Sequence, residues 1–370
     1  SRLKIDQLNY QKEVSSNSHL KMKGNLLSKN ITFDHFILRD KINKIEIKDI
    51  VFSTNNQFLK LESANLNYID TDNKKNKLLI QKISKNIYKF DGDSLNANSL
   101  IKELTKNKDK KNNKVFKNDV NLIIKLDKVF IDEIYFINNL AGKILIKDNK
   151  TSKADLSGNF KNKKKLNLVI VTDNMGQTTT TLNSSWAKPL VNRYKFIKGF
   201  EDGYLNFYST KKNGISNSVL IIDNFKVKEI SVLAKLLSLA SLQGIADVLT
   251  GEGIRFTDFE MKFSNDEKLI RIEELYAIGP SISILMEGYI QPKELISLRG
   301  TLVPASTINR TIASIPLLGD FLVGKKVGEG VFGVSFKIKG PPKNLDTTVN
   351  PIKTLTPRFI TRTLEKIKKN

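Results

Sequence analysis

The sequence predicts a mostly β protein: an elongated, curved antiparallel sheet that forms an open apolar groove, with a few short helices in its carboxyl-terminal module. Two observations lead to this prediction. From Arg2 to about Thr210, short runs rich in Ile, Leu, Phe and Tyr alternate with clusters of Asn, Asp, Gly, Lys and Ser, a pattern typical of strands and turns. Within many runs the apolar residues recur at every second position, which is the period of a strand.

The individual runs justify this prediction in order along the chain. One face of an early strand is largely apolar, with Ile31, Phe33, His35 and Ile37 on it. Two later strands repeat the pattern, with Val120, Leu122, Ile124 and Leu126 in the first and Val129, Ile131, Tyr135 and Ile137 in the second. A short helix is predicted from Asn98 to Thr105, followed by a solvated loop from Lys106 to Lys114, which contains no apolar residue.

The second part of the chain mixes strands with helices. Apolar residues at helical spacing predict a helix near 231–250, and a shorter one is predicted at 306–314, before Pro316. Strands are predicted at about 254–264, 268–277, 281–290, 295–303 and 331–339. We therefore expect a repetitive β-groove segment at 1–197, a β module with helices at 198–355, and a basic amphipathic helix at 356–370.

The net positive charge of the chain is compatible with several classes of partner and does not distinguish between them. Its 370 residues include 61 Lys and Arg against 38 Asp and Glu, a net charge of +23. Nucleic acid, anionic lipid head groups and acidic proteins all suit such a charge. No arginine cluster, reading helix or aromatic ribonucleoprotein motif is present, so nucleic-acid binding stands third among the functions considered.

The sequence gives little support to an enzyme. There is no cysteine, which excludes disulfides, thiolate metal sites and cysteine nucleophiles. His19 and His35 have no second histidine at ligand spacing. The pairs Glu201-Asp202 and Glu273-Glu274 are adjacent in strands, so we expect their carboxylates to point to opposite faces and to be solvated. We expect no catalytic residue, no metal and no cofactor.

A glycine-rich string at Gly328 to Val334 matches the dinucleotide fingerprint as letters alone. A dinucleotide loop has to open a helix, whereas these glycines run into the alternating strand that follows. The glycines are therefore interpreted as a turn or bulge that redirects the sheet.

Four strings in the carboxyl-terminal half resemble the AsmA-like carboxyl-terminal region of the YhdP branch of bacterial AsmA-like proteins. They are IDNFKVKEISVLAKLLSLASLQGIADVLTGEGIRF (Ile222 to Phe256), AIGPSISILMEGYI (Ala277 to Ile290), LRGTLVPASTINRTIASIPLLGDFLVGKKVGEGVFGVSFKIKGPP (Leu298 to Pro342) and VNPIKTLTPRF (Val349 to Phe359). Their order and spacing follow the family pattern over roughly residues 198 to 360. Two departures are Ile230-Ser231, where the family commonly has a proline, and Arg358, where it has a glycine.

This resemblance implies a non-enzymatic envelope protein of a Gram-negative bacterium. Such a protein is held in the inner membrane by an amino-terminal helix absent from this chain. Its periplasmic β-groove is of the kind proposed to carry phospholipid between the inner and outer membranes. The expected partners are phospholipids, the two membrane surfaces and other envelope proteins, and the family brings no catalytic residues.

The residues themselves point to an apolar strip as the candidate site. Strand alternation places three sets on common sides: Ile282, Ile284, Met286 and Ile290; Ile296, Leu298 and Leu302; and Phe332, Val334, Phe336 and Ile338. If adjacent strands align these sets, they form one continuous surface for acyl chains. The alternative is that the sheet folds on itself with a packed core, giving a structural or assembly factor of the outer membrane without lipid cargo.

The tail supplies a second candidate surface. In a helix opened by Pro357, apolar residues share one side and basic residues flank them, an arrangement that suits an anionic membrane interface. Packing against the end of the sheet is the alternative. The residues concerned are Arg358, Phe359, Ile360, Arg362, Leu364, Lys366 and Ile367.

Overall fold

The structure, a computed structural model, describes residues 3–12, 17–27, 29–55, 57–105, 116, 118–194, 199–228, 231–239, 251–266, 268–304 and 333–352. Within these residues strands account for 69% and helices for 8%, so the prediction of a mostly β fold with few short helices is confirmed. The chain divides into two compact units, Ser1–Asn183 and Ser184–Asn370. The predicted boundary at 197/198 lies outside the described residues.

Unit 1 is a meander in which antiparallel neighbours predominate. Hairpins join most consecutive strands, whereas β9 and β10 pair in parallel and α1 opens the connection between them. The elements are β1 (Lys4–Ile5), β2 (Tyr10–Gln11), β3 (His19–Leu26), β4 (Asn30–Arg39), β5 (Lys44–Ser53), β6 (Phe58–Lys60), β7 (Ser63–Ile69), β8 (Lys75–Ser84), β9 (Ile87–Asn96), α1 (Asn98–Thr105), β10 (Val120–Phe130), β11 (Phe136–Lys147), β12 (Lys150–Asn159), β13 (Lys165–Thr172) and β14 (Thr178–Ser184).

Unit 2 is also an antiparallel meander, and the predicted carboxyl-terminal strands are present with ends shifted by one or two residues. Helix α1 in unit 1 matches its predicted range, but the sequence did not predict α2. The elements of unit 2 are α2 (Lys188–Tyr194), β15 (Phe200–Lys212), β16 (Ile215–Val227), α3 (Ser231–Leu239), β17 (Ile254–Asn265), β18 (Ile270–Ile278), β19 (Ile282–Gln291), β20 (Leu295–Pro304), β21 (Gly333–Gly340) and β22 (Asp346–Ile352).

The long strands do not keep one alternation from end to end. In β16 Phe225 and Val227 are buried at odd positions, whereas Ile222 is buried at an even one. Between them Asn224 has φ 53°, a left-handed conformation that Asn and Asp tolerate better than other non-glycine residues. The ring of Phe225 contacts both Phe256 and Phe259 of β17, so the two alternations bury side chains on the same side. We call such a position an alternation switch.

A second alternation switch corrects one prediction for unit 1. In β5 Asp49 has φ 47°, and Ile47 and Ile50 on either side of it both pack on the same core. The facing strand β4 changes alternation at the same level, because Phe36 packs on that core and Leu38 is fully buried, whereas His35 is exposed. The predicted single face from Ile31 to Ile37 is therefore wrong beyond Asp34.

Glu274 is a further correction. It was expected to be solvated, but it is only 4% exposed, while Glu273 is exposed. The register between β17 and β18 shifts at this point, because Lys262 pairs with Glu274 and Phe263 already pairs with Ile272. The extra residue in β18 changes the alternation of that strand, so that Ile272 and Glu274 project to opposite faces.

Some predictions fall on residues that the structure does not describe. These are the solvated loop from Lys106 to Lys114, the second half of the helix near 231–250, the helix at 306–314, Phe332 and the tail helix at 356–370. Of the glycine-rich string, Gly333 is described and begins β21, so the string does run into a strand. In the described part of the chain, no helix combines the length and the apolar character that crossing a membrane requires.

Candidate functional site

Register in unit 2 aligns apolar residues from eight strands in a single line. Residues paired across a β-ladder project to the same face, so this line is one continuous surface. We call it the central row of unit 2: Phe207, Leu220, Met261, Leu275, Met286, Gly300, Phe336 and Val349. Seven interstrand steps of about 4.8 Å make it roughly 34 Å long. Most of these side chains are half-buried, and Phe336 is buried.

A second line on the same face is covered much more completely. It runs beside the central row and consists of Leu205, Ile222, Phe259, Ala277, Ile284, Leu302 and Val334. Leu302 and Val334 are each 1% exposed, whereas their neighbour Ile284 is half-buried. The candidate face of unit 2 thus combines a packed margin with a more accessible centre.

The structure brings most of the predicted strip residues together. Ile284 faces Leu302, which faces Val334; Leu298 faces Ile338; and Ile290 faces Ile296. Their cover differs, which alternation alone could not predict. Ile282, Leu302, Val334, Phe336 and Ile338 are buried, whereas Ile284, Met286, Ile290, Ile296 and Leu298 are half-buried.

The opposite face of unit 2 carries ion pairs and side-chain hydrogen bonds, together with exposed tyrosines such as Tyr289. Arg299 Nη2 lies 2.7 Å from Glu287 Oε1, and Lys262 Nζ lies 3.3 Å from Glu260 Oε1. Tyr276 donates a 2.6 Å hydrogen bond to Glu260 Oε2. The two faces therefore differ in chemistry, as expected for a sheet that has one apolar side.

Unit 1 contains an equivalent strip that the sequence did not locate. Its central row crosses ten strands: Met22, Phe36, Ile47, Ala64, Ile80, Phe90, Ile124, Gly142, Leu156 and Leu168. Most of these side chains are half-buried, and Met22 is 56% exposed. The alternating runs were visible in the sequence, but no motif fixed which strands would be neighbours.

A buried line again flanks the central row of unit 1. Leu38 and Ile45 are fully buried, and Leu66, Leu78 and Leu126 are 2% to 4% exposed. Residues 3–12, which we call the strap, lie over part of this line. Tyr10 of the strap is fully buried and stacks edge-on against Tyr68, with ring centroids 5.9 Å apart.

Beside the strap, the polar groups of Asp40, Asn43 and Tyr68 form an edge of the sheet that we call the rim. Burial raises the pKa of Asp40, but hydrogen bonds from the Asn43 side chain, the backbone N–H groups of Ile42 and Asn43, and the Tyr10 hydroxyl outweigh this effect and leave it below its usual value. Burial, together with the nearby Asp70 carboxylate, raises the pKa of the Tyr68 hydroxyl, which donates to Leu8 O at 2.9 Å. Both groups stay in one charge state near neutral pH.

The described residues contain no group of three or more His, Asp or Glu that could hold a metal ion. The apolar strips are the candidate site in the described part of the chain. No protein-family model matches this chain, and no curated protein or solved structure matches it either.

Proposed function

We propose that this chain belongs to a non-enzymatic envelope protein whose sheet carries phospholipid acyl chains between the inner and outer membranes of a Gram-negative bacterium. The observation that carries the proposal is the half-buried central row in each unit. Apolar side chains left partly in water are unfavourable by about 25 cal/mol per Å². A hydrocarbon chain lying along the row would remove that surface from water.

The chemistry of the rows suits hydrocarbon rather than a polar ligand. Phe207, Leu220, Met261, Leu275 and Met286 follow one another without a charged or hydroxyl side chain. Such a surface offers dispersion contacts and no directional bond, so it would accept acyl chains of different length and would let them slide. Methionines adapt to irregular ligands because their side chains are flexible and polarizable.

The resemblance of residues 198 to 360 to AsmA-like proteins supports the cellular setting of this proposal. On this resemblance we propose a periplasmic location, with attachment to the inner membrane by an amino-terminal helix of the kind the family has. The phospholipids and the two membrane surfaces are then the partners.

The second candidate function is a structural or assembly factor of the outer membrane without lipid cargo. It is favoured by the fully covered flanking lines, in which Leu38, Ile45 and Leu302 have almost no exposed surface. A protein in which every apolar row was covered in this way would have no room for a ligand.

The experiment that separates the two functions is photo-crosslinking in cells. A photoreactive amino acid replaces Met286 or Leu220 in the central row, and the matched control replaces Tyr289, which is 37% exposed on the other face of β19. Phospholipid crosslinked from the row but not from Tyr289 supports lipid carriage. Crosslinking from none of the row positions, with no lipid in organic extracts of the purified chain, would establish the packed-core alternative.

A further inference from the structure

The strap is a small element separate from the main sheet of unit 1. Its two strands pair only with each other in the described ladders, Lys4 with Gln11 and Ile5 with Tyr10, and Lys12 N donates to Leu3 O at 2.9 Å. A 3₁₀ turn, Asp6–Leu8, joins the strands. Moving the strap would therefore break no ladder pairing of the main sheet.

The strap covers the apolar face of unit 1 with its own apolar side chains. Tyr10 is fully buried, and Leu3, Ile5 and Leu8 pack against the core that contains Leu38. Other members of this core, Ile45, Leu66 and Leu78, belong to the buried flanking line. The strap thus occupies the same kind of surface that the central row leaves partly open.

Four hydrogen bonds attach the strap to one rim of the sheet. Tyr68 Oη donates to Leu8 O at 2.9 Å, and Tyr10 Oη donates to Asp40 Oδ2 at 3.1 Å. Thr71 donates twice to Asn9, from its hydroxyl to Oδ1 at 2.7 Å and from its backbone N–H to the carbonyl oxygen at 2.9 Å. The strap therefore combines polar attachment at this rim with apolar contact on the face of the sheet.

We propose that the strap is a removable lid over a hydrocarbon-binding subsite in unit 1, formed by the flanking line at Leu38, Ile45, Leu66 and Leu78. This inference rests on the proposed function, because the ligand of the subsite is an acyl chain. The side chains of the strap and the acyl chain compete for the same surface. Apparent affinity at the subsite is the intrinsic affinity multiplied by the fraction of molecules whose strap is open.

The absence of cysteine in the chain makes a reversible lock possible. Asn9→Cys and Thr71→Cys together place two thiols where side chains already meet, and a disulfide or a short thiol crosslinker between them holds the strap closed. The full chain is incubated with a diazirine-bearing fatty acid, irradiated and digested. Labelled peptides are counted for residues around Leu38 and Leu66 and, as an internal control, around Met286 of unit 2.

The lid predicts a fall of about tenfold or more in labelling around Leu38 and Leu66 when the thiols are locked, with recovery on reduction and no change around Met286. Equal labelling in the locked and reduced states would overturn the lid and leave the proposed function standing. No labelling in either unit would overturn both.

A second comparison needs no crosslink. Tyr68→Phe removes the hydroxyl that holds Leu8 but keeps the ring, so it should raise labelling of the subsite several-fold. The matched control is Tyr88→Phe. Tyr88 is equally buried, at 3% exposed, but its oxygen is bonded by the backbone of Leu61, away from the strap. Equal labelling of the two variants would contradict the lid.

Discussion

The ring of Phe336 lies over Gly300, its partner on the neighbouring strand. A Cβ atom added to Gly300 would be 2.5 Å from Cζ of Phe336 and closer still to the carbonyl oxygen of Leu285. The missing side chain of Gly300 is thus replaced by the aromatic ring of Phe336, which is 4% exposed. Because the ring of Phe336 fills the space beside Gly300, the central row of unit 2 stays continuous across β20.

Gly300→Ala should destabilise unit 2 by about 1–3 kcal/mol, because the methyl group forces the ring and a backbone carbonyl to move. Thermal or urea unfolding of the full chain measures the loss. Phe336→Leu alone should also destabilise, since it removes a buried ring. The loss of stability in the double variant should be smaller than the sum of the losses in the two single variants by at least about 0.5 kcal/mol. Strict additivity would show that the ring and the glycine act independently.

Two aspartate substitutions on the same face should behave differently. Val334→Asp places a charge at a position that is 1% exposed, so it should cost at least about 3 kcal/mol and unfold unit 2. Ile284→Asp lies in the same cross-strand line but is half-buried, so the protein should remain folded and crosslink less phospholipid. Tyr289→Asp, on the other face, is the control for both measurements. Unfolding by Ile284→Asp to the same extent as by Val334→Asp would favour a packed core throughout.

The alternation switch at Asn224 predicts an unusual order of substitutions. Asn224→Gly should leave stability nearly unchanged, because glycine adopts positive φ freely, whereas Asn224→Val should cost about 1–3 kcal/mol. Asn217 in the same strand is exposed and does not have a positive φ, so Asn217→Val should be neutral or slightly stabilising. Chemical unfolding of the three variants tests the order, and a neutral Asn224→Val would contradict the switch.

Acid should weaken the rim that holds the strap. The pKa of Asp40 is lowered in the folded protein, so the stability it contributes is present above its unfolded value of about 3.9 and is lost as the pH falls through the lower folded value. Asp40→Asn removes this titration, and the stability of that variant should depend less on pH between about pH 5 and about pH 2. The expected change is measured by urea unfolding at each pH. An identical pH dependence in the two proteins would exclude a contribution from Asp40.

The sequence predicts the features of this fold that depend on neighbouring residues, and it misses those that depend on residues distant in sequence. Strand positions follow from local alternation, and Ile284 and Leu302 of two predicted sets pair across β19 and β20. The alternation switches were missed because a single Asp or Asn inside a run also fits the polar side of an uninterrupted strand, which is how the predicted face from Ile31 to Ile37 was extended through Asp34. The burial of Glu274 was also missed, because alternation within one strand does not specify what covers a residue.

The candidate site was predicted only in part for the same reason. Alternation identifies the apolar side of a strand, but the cover over each residue depends on segments distant in sequence. The difference between Val334 and Ile284 is an example, since the two residues are similar in size and lie in one line. The strip in unit 1 and its strap needed the strand order, which short apolar runs do not encode one by one.

The parallel pairing of β9 with β10 has a consequence for how the chain assembles after synthesis. Hairpin neighbours such as β10 and β11 meet after closing a turn of a few residues, a fast and local event. β10 pairs in parallel with β9, so the connection from Asn96 to Val120 has to return to the start of β9 before the two strands can pair. Closing this longer loop is slower, because more conformational entropy is lost before any contact forms. We therefore expect the hairpins on either side of the β9–β10 pair to form early and the parallel pairing of β9 with β10 to form late.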